Sequence, residues 1–326
     1  MLKLALPIEM PQISVIIPAY NAERYIEECL LSLKGQTFKD FEIIIVDDGS
    51  IDKTYKIAEK YAKVIKSLKN LGAGAARNLG AKEAQGQILV FADTDVVLPE
   101  DWLAKIIKNM QIHNVECVGA GYCGSMGKSF MEMFAYLELS YRRRNMPEFV
   151  NTVVSNNFAC YRDIFFGCGG FPETFKCEDL RLSFVISKKH KIFWDKDNGI
   201  YHHFKTSLKD YLKQQCYFSR DTFLSYCQYP AMLKIKTHQG RTIYFETILM
   251  LFVFISLFLF PFTAAFFLGL ILMINYNLLL FLKNNGLSVM RSCLVILIRD
   301  VVCVIGIFAG MGLCLIDIIK KISFSK

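Results

Sequence analysis

The sequence predicts an α/β domain on a doubly wound, mostly parallel sheet, followed by an α-helical membrane region. Three observations carry that expectation. Short β-type runs alternate with stretches of helical spacing through the first hundred residues, the pattern of parallel βαβ units. Polar clusters stand where those runs end, chief among them Asp93-Thr94-Asp95, and the carboxyl ends of strands in an open α/β sheet are where ligands bind. Thr247 to Leu282 is a run of 36 residues without a charge, longer as a helix than one ~30 Å hydrocarbon core.

Taken in order, Ser14-Val15-Ile16-Ile17-Pro18-Ala19-Tyr20-Asn21 is an apolar strand closing in a turn, and Ile26, Leu30 and Leu33 mark a helix over Ala22 to Lys34. Phe41 to Val46 is the second strand, with Asp47-Asp48-Gly49-Ser50 as its terminal turn and a helical Lys53 to Ala62 after it. A glycine-bearing loop, Asn70 to Asn78, feeds an Ala-rich helix that returns in the strand ending at Asp93. A dinucleotide-binding domain would place Gly-x-Gly-x-x-Gly directly after the first strand, where this chain has Pro18-Ala19-Tyr20-Asn21, so that reading is set aside. Asp101 to Met110 is a helix opened by acids, as its dipole prefers. Val115 to Tyr122 is a further strand, and Lys128 to Asn145 an amphipathic helix ending on Arg142-Arg143-Arg144. Such a charge run is ordinarily a solvated face; its functional alternative is contact with anionic lipid or an acceptor phosphate. Lys191 to Trp194 is the final strand, and Leu208 to Tyr226, with aromatic and basic residues interleaved, has the composition of an interfacial helix.

The Asp-x-Asp pair has a chemistry. Two carboxylates past a strand end can hold a hard cation such as Mg²⁺ or Mn²⁺, which prefers one or two carboxylates plus the oxygens of a bound diphosphate. A neutral imidazole from His202 or His203 is a sound further ligand.

The net charge of +8 divides evenly between residues 1–240 and 241–326. That balance excludes nucleic acid as the expected partner, and mild positive charge beside apolar spans fits anionic lipid headgroups. Met1 to Gln12 is too short and interrupted for a signal peptide, so residues 1–240 are expected in the cytoplasm. None of the eleven cysteines forms a Cys-x-x-Cys pair, which fits free thiols in a reducing compartment. The uncharged run must fold back, and Pro261 is the place. Arg241 and Lys283 at its ends favour a hairpin with both ends cytoplasmic, whereas Val301 to Ile316, only 16 uncharged residues between Asp300 and Asp317, favours an interfacial helix over a third crossing.

Four motifs in register over about eighty residues resemble the family-2 nucleotide-sugar glycosyltransferases of GT-A fold: Val15 to Asn21, Ile45 to Asp52, Ala76-Arg77-Asn78-Leu79-Gly80, and Asp93-Thr94-Asp95. The resemblance implies that Pro18, Tyr20 and Asp48 meet the nucleoside with Arg77 nearby, while Asp93, Thr94 and Asp95 address the metal and the sugar diphosphate. Gly169-Gly170-Phe171 and then Glu178-Asp179 resemble the family further on, which implies Asp179 as general base with Glu178 beside it. Relatives often carry a second acid where this chain has Arg181. They also place a histidine six residues before Leu208, which selects His202 as the metal ligand. Gln214-Gln215-Cys216-Tyr217-Phe218 lacks the Arg-Trp of the Gln-x-x-Arg-Trp motif of processive relatives, so one sugar per encounter is expected.

The expected organisation is a cytoplasmic GT-A domain at residues 1–225, a juxtamembrane linker at 226–240, and a membrane region at 241–326. The last holds helices near 243–260 and 262–282 and a spanning or interfacial helix near 293–318. The expected function is metal-dependent, inverting transfer of one sugar from a nucleotide-diphosphate sugar to a lipid or lipid-linked acceptor, with polyprenyl phosphate or a lipid-linked glycan ahead of a glycerolipid. A nucleotidyltransferase on the same sheet and a catalytically inactive membrane scaffold are the alternatives.

Overall fold

A computed structural model describes residues 11–173, 177–234, 242–259 and 261–324. Its first half runs β1 (Ile13–Ala19), α1 (Ile26–Lys34), β2 (Phe41–Asp47), α2 (Thr54–Ala58), β3 (Lys63–Lys66), α3 (Ala73–Glu83) and β4 (Ile88–Phe91). Ile13, Val15, Ile16 and Ile17 are fully buried, the unbroken apolar run that a central strand covered on both faces requires. β1 pairs in parallel with β2 and β4, and β2 with β3. Helix α1 starts four residues later than its spacing predicts. The Asn21 and Ala22 amides donate to Ser50 Oγ (2.9 Å) and Thr54 Oγ1 (2.7 Å), which holds that segment as a turn. The expected helix over 53–62 shortens to α2, because its last residues lead into β3, an edge strand of only Lys-Val-Ile-Lys.

The chain continues through β5 (Val96–Val97), α4 (Trp102–Ile112), β6 (Cys117–Ser125), α5 (Phe130–Arg143), β7 (Phe149–Val150), β8 (Phe158–Tyr161), α6 (Arg162–Gly167), α7 (Glu178–Ser187) and β9 (Ile192–His202). Helix α5 opens on a capping box between Ser129 and Glu132, which fixes its first turn. The described residues form one nine-stranded sheet, ordered β3-β2-β1-β4-β8-β6-β9-β5, with β7 also on β9. It is mixed but mostly parallel: β8 enters antiparallel between β4 and β6, and only the short β5 and β7 otherwise run against the rest. Trp102, Leu103 and Ile106 pack one face with α1. Phe91, Phe158, Phe165 and Phe171 pack the other with α7.

A helical layer follows: α8 (Leu208–Gln228), α9 (Thr242–Leu259), α10 (Pro261–Ile274), α11 (Tyr276–Asn284) and α12 (Val289–Phe324). Helices α9 and α10 reverse at Pro261 and pack on each other, with the Phe252 and Phe267 rings stacked at 5.4 Å. The segment expected as one helix near 262–282 is two, bent by 51°. At the bend, Asn275 Nδ2 donates to the Ile271 carbonyl (3.0 Å), the side-chain back-bonding that bends helices. The segment near 293–318 lies within the single helix α12. Among the described residues, α12 is the one helix long and apolar enough to cross a membrane, with α10–α11 a second only if counted as one bent span.

Helix α12 runs beside α8 in the same direction. A Cβ on Gly306 would collide with the Cys216 carbonyl, so only glycine permits this approach there, and one on Gly310 would crowd the Arg220 carbonyl at 3.1 Å. The opposite side of α12 exposes Met290, Leu294, Ile305, Phe308 and Leu315. Residues 1–10, the linker positions 235–241 with Arg241, and the side chains of Lys320, Lys321 and Lys326 lie outside the described residues.

One buried ionic cluster joins this layer to the sheet domain. Arg299 and Asp300 are fully buried, and Arg299 contacts Glu138 of α5, Glu246 of α9 and Asp300. Arg142 also reaches Glu138 (2.9 Å) and Glu246 (3.3 Å), and Tyr211 Oη donates to Glu138 (2.9 Å). Charges tolerate burial only when paired in this way. Arg142 and Arg143 are buried and so are not the solvated face that a charge run ordinarily forms; Arg144 packs over the Tyr141 ring.

Candidate active site

The ends of β1, β2, β4 and β9 and the start of α7 meet at one edge of the sheet. Asp95 and His202 face each other there, Nε2 to Oδ1 at 3.5 Å. Two backbone bonds fix them: His203 N–H donates to the Asp95 carbonyl (2.9 Å), and Met126 N–H to the His202 carbonyl (3.0 Å). Burial lowers the His202 pKa against the pull of Asp95 and Asp93, so the ring is neutral and can ligate. Its Nδ1 is buried and without a hydrogen bond. A carboxylate and a neutral imidazole opening on a cavity fit a divalent cation that takes its other ligands from a diphosphate.

Asp93, expected to join them, is turned toward Arg77. The Arg77 guanidinium is buried between Asp93 (2.6 Å) and Glu178 (2.6 Å). Burial opposes its charge, and the two carboxylates outweigh that effect. Arg77 therefore ties α3 to β4 and to the first turn of α7. Among the described residues no group of three or more His, Cys, Asp and Glu side chains converges on a metal position, and Asp95 and His202 are the two brought face to face.

Tyr20 is half-exposed just past β1 and Pro18, an open ring face available for stacking. Asp48 is buried, and its two oxygens accept from the Leu71 and Gly72 amides (2.8 Å each). It organises the loop ahead of α3, where Gly72 takes a left-handed φ of 96°. Thr94 lies in the turn between the two aspartates.

Asp179 stands in the first turn of α7, where the Leu180 amide donates to Oδ1 (2.7 Å). Its pKa is raised to about 7, first by burial and then by the charge of Glu178. Burial likewise raises Glu178, which Arg77 holds in place. A carboxyl near neutrality is suited to general base work.

These groups open on a cavity of about 410 Å³. Its lining includes Asp93, Asp95, Asp179 and His202, and continues through Tyr122, Asn156 and Arg143 to α8, α9 and α12. The Tyr122 ring meets His202 edge-on at 5.1 Å, and its hydroxyl pairs with Asn156. In the sequence Tyr122 is only the end of a strand, Arg143 only a member of a charge run, and Asn156 carries no signal that places it here. The remaining clue was local: a buried Arg on the apolar side of an amphipathic helix.

The glycosyl transferase family 2 model matches residues 14–168. The uncharacterized glycosyltransferase EpsJ of Bacillus subtilis is 37% identical over 118 residues, 35% of this chain and 34% of that one. Glycosyltransferase AglE of Haloferax volcanii is 31% identical over 180 residues, 50% of this chain and 57% of that one. The chain thus spans about a third to a little over half of the length of these curated relatives. Among solved structures, the mannosyltransferase PcManGT from Pyrobaculum calidifontis, in complex with GDP-Man and Mn²⁺, aligns over 93% of this chain and 88% of that one. Its TM-score is 0.60 at 18% identity, a likeness of fold. Residues 14–168, a little under half of the chain, thus form a glycosyl transferase family 2 domain on a sheet of the GT-A type.

Proposed function

We propose that the chain is a membrane-bound, metal-dependent, inverting glycosyltransferase that moves one sugar from a nucleotide-diphosphate sugar to a hydroxyl of a lipid-linked acceptor. The observation that carries this reading is the opening of Asp95, His202 and a near-neutral Asp179 on one cavity. Asp179 also separates the two acceptors placed first. A polyprenyl phosphate oxygen is already an anion at neutral pH and needs no base, whereas a glycan hydroxyl does.

The acceptor oxygen attacks C1 of the donor sugar from the face opposite the nucleotide, and the C1–O bond to the diphosphate breaks. The hydroxyl proton passes to Asp179, and the bonding pair leaves with the nucleoside diphosphate. Asp95 and His202 would hold the Mg²⁺ or Mn²⁺, which neutralises charge on the leaving group. Tyr20 stacks the base. Arg77 keeps Glu178 and Asp93 apart from the reacting atoms and orients the turn that bears Asp179.

Membrane attachment rests on the helical layer, whose outer side exposes Phe252, Phe266, Met273, Leu294 and Phe308, a large apolar surface of the kind that marks an interaction site. Helix α12 lies along α8, which carries Lys209, Asp210, Lys213 and Arg220. Those charges stay hydrated only if α8 lies at the interface, so α12 lies there with it, its outer stripe in the acyl region. The α9–α10 hairpin enters the bilayer, and both ends stay on the cytoplasmic side.

The test is a panel of nucleotide sugars offered to the purified chain with Mn²⁺, following nucleoside diphosphate release. Release from no sugar, with turnover of a nucleoside triphosphate instead, overturns the reading.

A further inference from the structure

The cavity does not end at Asp179. Helix α8 supplies Gln214, Gln215, Phe218, Ser219 and Thr222 to its lining, spaced three to four residues apart on one face. That face spans two boundaries. At one, the Cys177 thiol just ahead of α7 meets Thr222 Oγ1 (3.7 Å) and the Phe218 carbonyl (3.8 Å), two residues from the base. At the other, Ser219 packs against Gly306 of α12. The far wall is apolar and comes from Phe223, Cys303 and Ile307.

The two carboxamides are unengaged. Among the described residues, neither Gln214 nor Gln215 makes a side-chain hydrogen bond; only the Gln215 main-chain carbonyl is used, by Ser219. A primary amide that lines a cavity beside an aromatic ring, with both donor and acceptor open, matches the adjacent hydroxyls of a sugar ring. The nearby charges of Glu138 and Arg142 are already satisfied within the buried cluster, so this part of the wall offers hydrogen bonds rather than net charge.

Resting on the transferase reading above, we propose that this inner half of the cavity is the acceptor subsite for a glycolipid. Gln214 and Gln215 hold its sugar ring with one hydroxyl toward Asp179, and its hydrocarbon chain lies along the apolar wall of Phe223, Cys303 and Ile307. The reaction is the one already written: that hydroxyl oxygen bonds to C1, its proton goes to Asp179, and the nucleoside diphosphate departs.

The experiment uses the full chain in lipid nanodiscs with the donor identified by the nucleotide-sugar panel. Methyl, butyl and octyl glycosides are compared with farnesyl phosphate as acceptors, following nucleoside diphosphate release and the glycosylated product. Octyl glycosides should accept the sugar, with KM falling as the alkyl chain lengthens. Gln214→Ala and Gln215→Ala should each raise the glycoside KM about two- to tenfold relative to the donor KM, the range of one lost hydrogen bond. Ile307→Trp, which fills the space along that wall, should erase the chain-length dependence. Transfer to farnesyl phosphate but to no glycoside, or a glycoside KM insensitive to both glutamines, overturns the subsite while leaving the transferase intact. If no nucleotide sugar binds in calorimetry, both readings fall together.

Discussion

The base assignment makes a quantitative demand on the pH profile. With a pKa of about 7 for Asp179, the ionised fraction is ~0.1 at pH 6, ~0.5 at pH 7 and ~0.9 at pH 8. Turnover at saturating donor and metal should therefore rise about tenfold from pH 6 to pH 8, with a limiting slope of one decade per pH unit on the acid side. The charge of Glu178 is the second cause of the elevation, after burial, so Glu178→Gln should move this limb to lower pH. Asp179→Asn should remove the limb and lower turnover by ~10²- to 10⁴-fold. Stability gives a control of opposite sign. A carboxyl whose folded pKa is raised contributes stability that is full below its unfolded value near 3.8 and lost as the pH rises through about 7. At pH 8 the asparagine variant should thus be the more stable protein, by on the order of 1–3 kcal/mol once solvent reaching Asp179 from the cavity is allowed for. The assay is nucleoside diphosphate release across pH 5.5 to 9, with thermal melting on the same preparations. A parent profile flat down to pH 5.5, or an asparagine variant that keeps the limb, refutes the role.

Four further outcomes follow from the geometry. Asp95→Ala and His202→Ala should each abolish Mn²⁺-dependent nucleoside diphosphate binding in calorimetry with the far-UV spectrum retained; normal binding by both removes the metal assignment. Arg77→Met strands Glu178 and Asp93 and should cost about 3–5 kcal/mol, read as a lower melting temperature that a second change, Glu178→Met, partly restores. Gly306→Val forces α12 off the Cys216 carbonyl and should destabilise by about 1–3 kcal/mol; an unchanged melt contradicts the close packing. A cysteine placed after Lys326 in a thiol-free background should resist a membrane-impermeant maleimide in intact cells and react after permeabilisation, while labelling from outside establishes a crossing by α12.

The legible parts of this molecule were local. β1, β2 and β4 are apolar runs whose composition alone demands burial on two faces, and the residues just past them follow from the strand ends. The motif around Asp179 singles it out, and the structure puts it in the first turn of α7 on the cavity. What periodicity could not show was β3, a four-residue edge strand with two lysines, and β8, where Phe158 to Tyr161 reads as a continuation of a loop until Cys117 and Phe91 are seen to flank it. Nor could the sequence say that Asp48 spends both oxygens on a loop 23 and 24 residues away, or that Arg77 joins residues 16 and 101 positions distant. The cavity wall is the extreme case, since α5, α8 and α12 meet only through tertiary contact. The Arg142-Arg143-Arg144 run shows the cost of reading charge without partners: two of its three members are buried.

The cluster around Arg299 sets an order in which the molecule can be made. Glu138 is synthesised 161 residues before the arginine that neutralises it, and Glu246 follows 104 residues after Arg142. Until α12 has left the ribosome, α5 carries a carboxylate and a guanidinium awaiting burial, and the inner wall of the cavity has no second side. The sheet domain cannot reach its final packing ahead of α9 and α12, which complete this cluster. A chain released early would have an unfinished cavity wall, with the ion pairs of α5 still open to water.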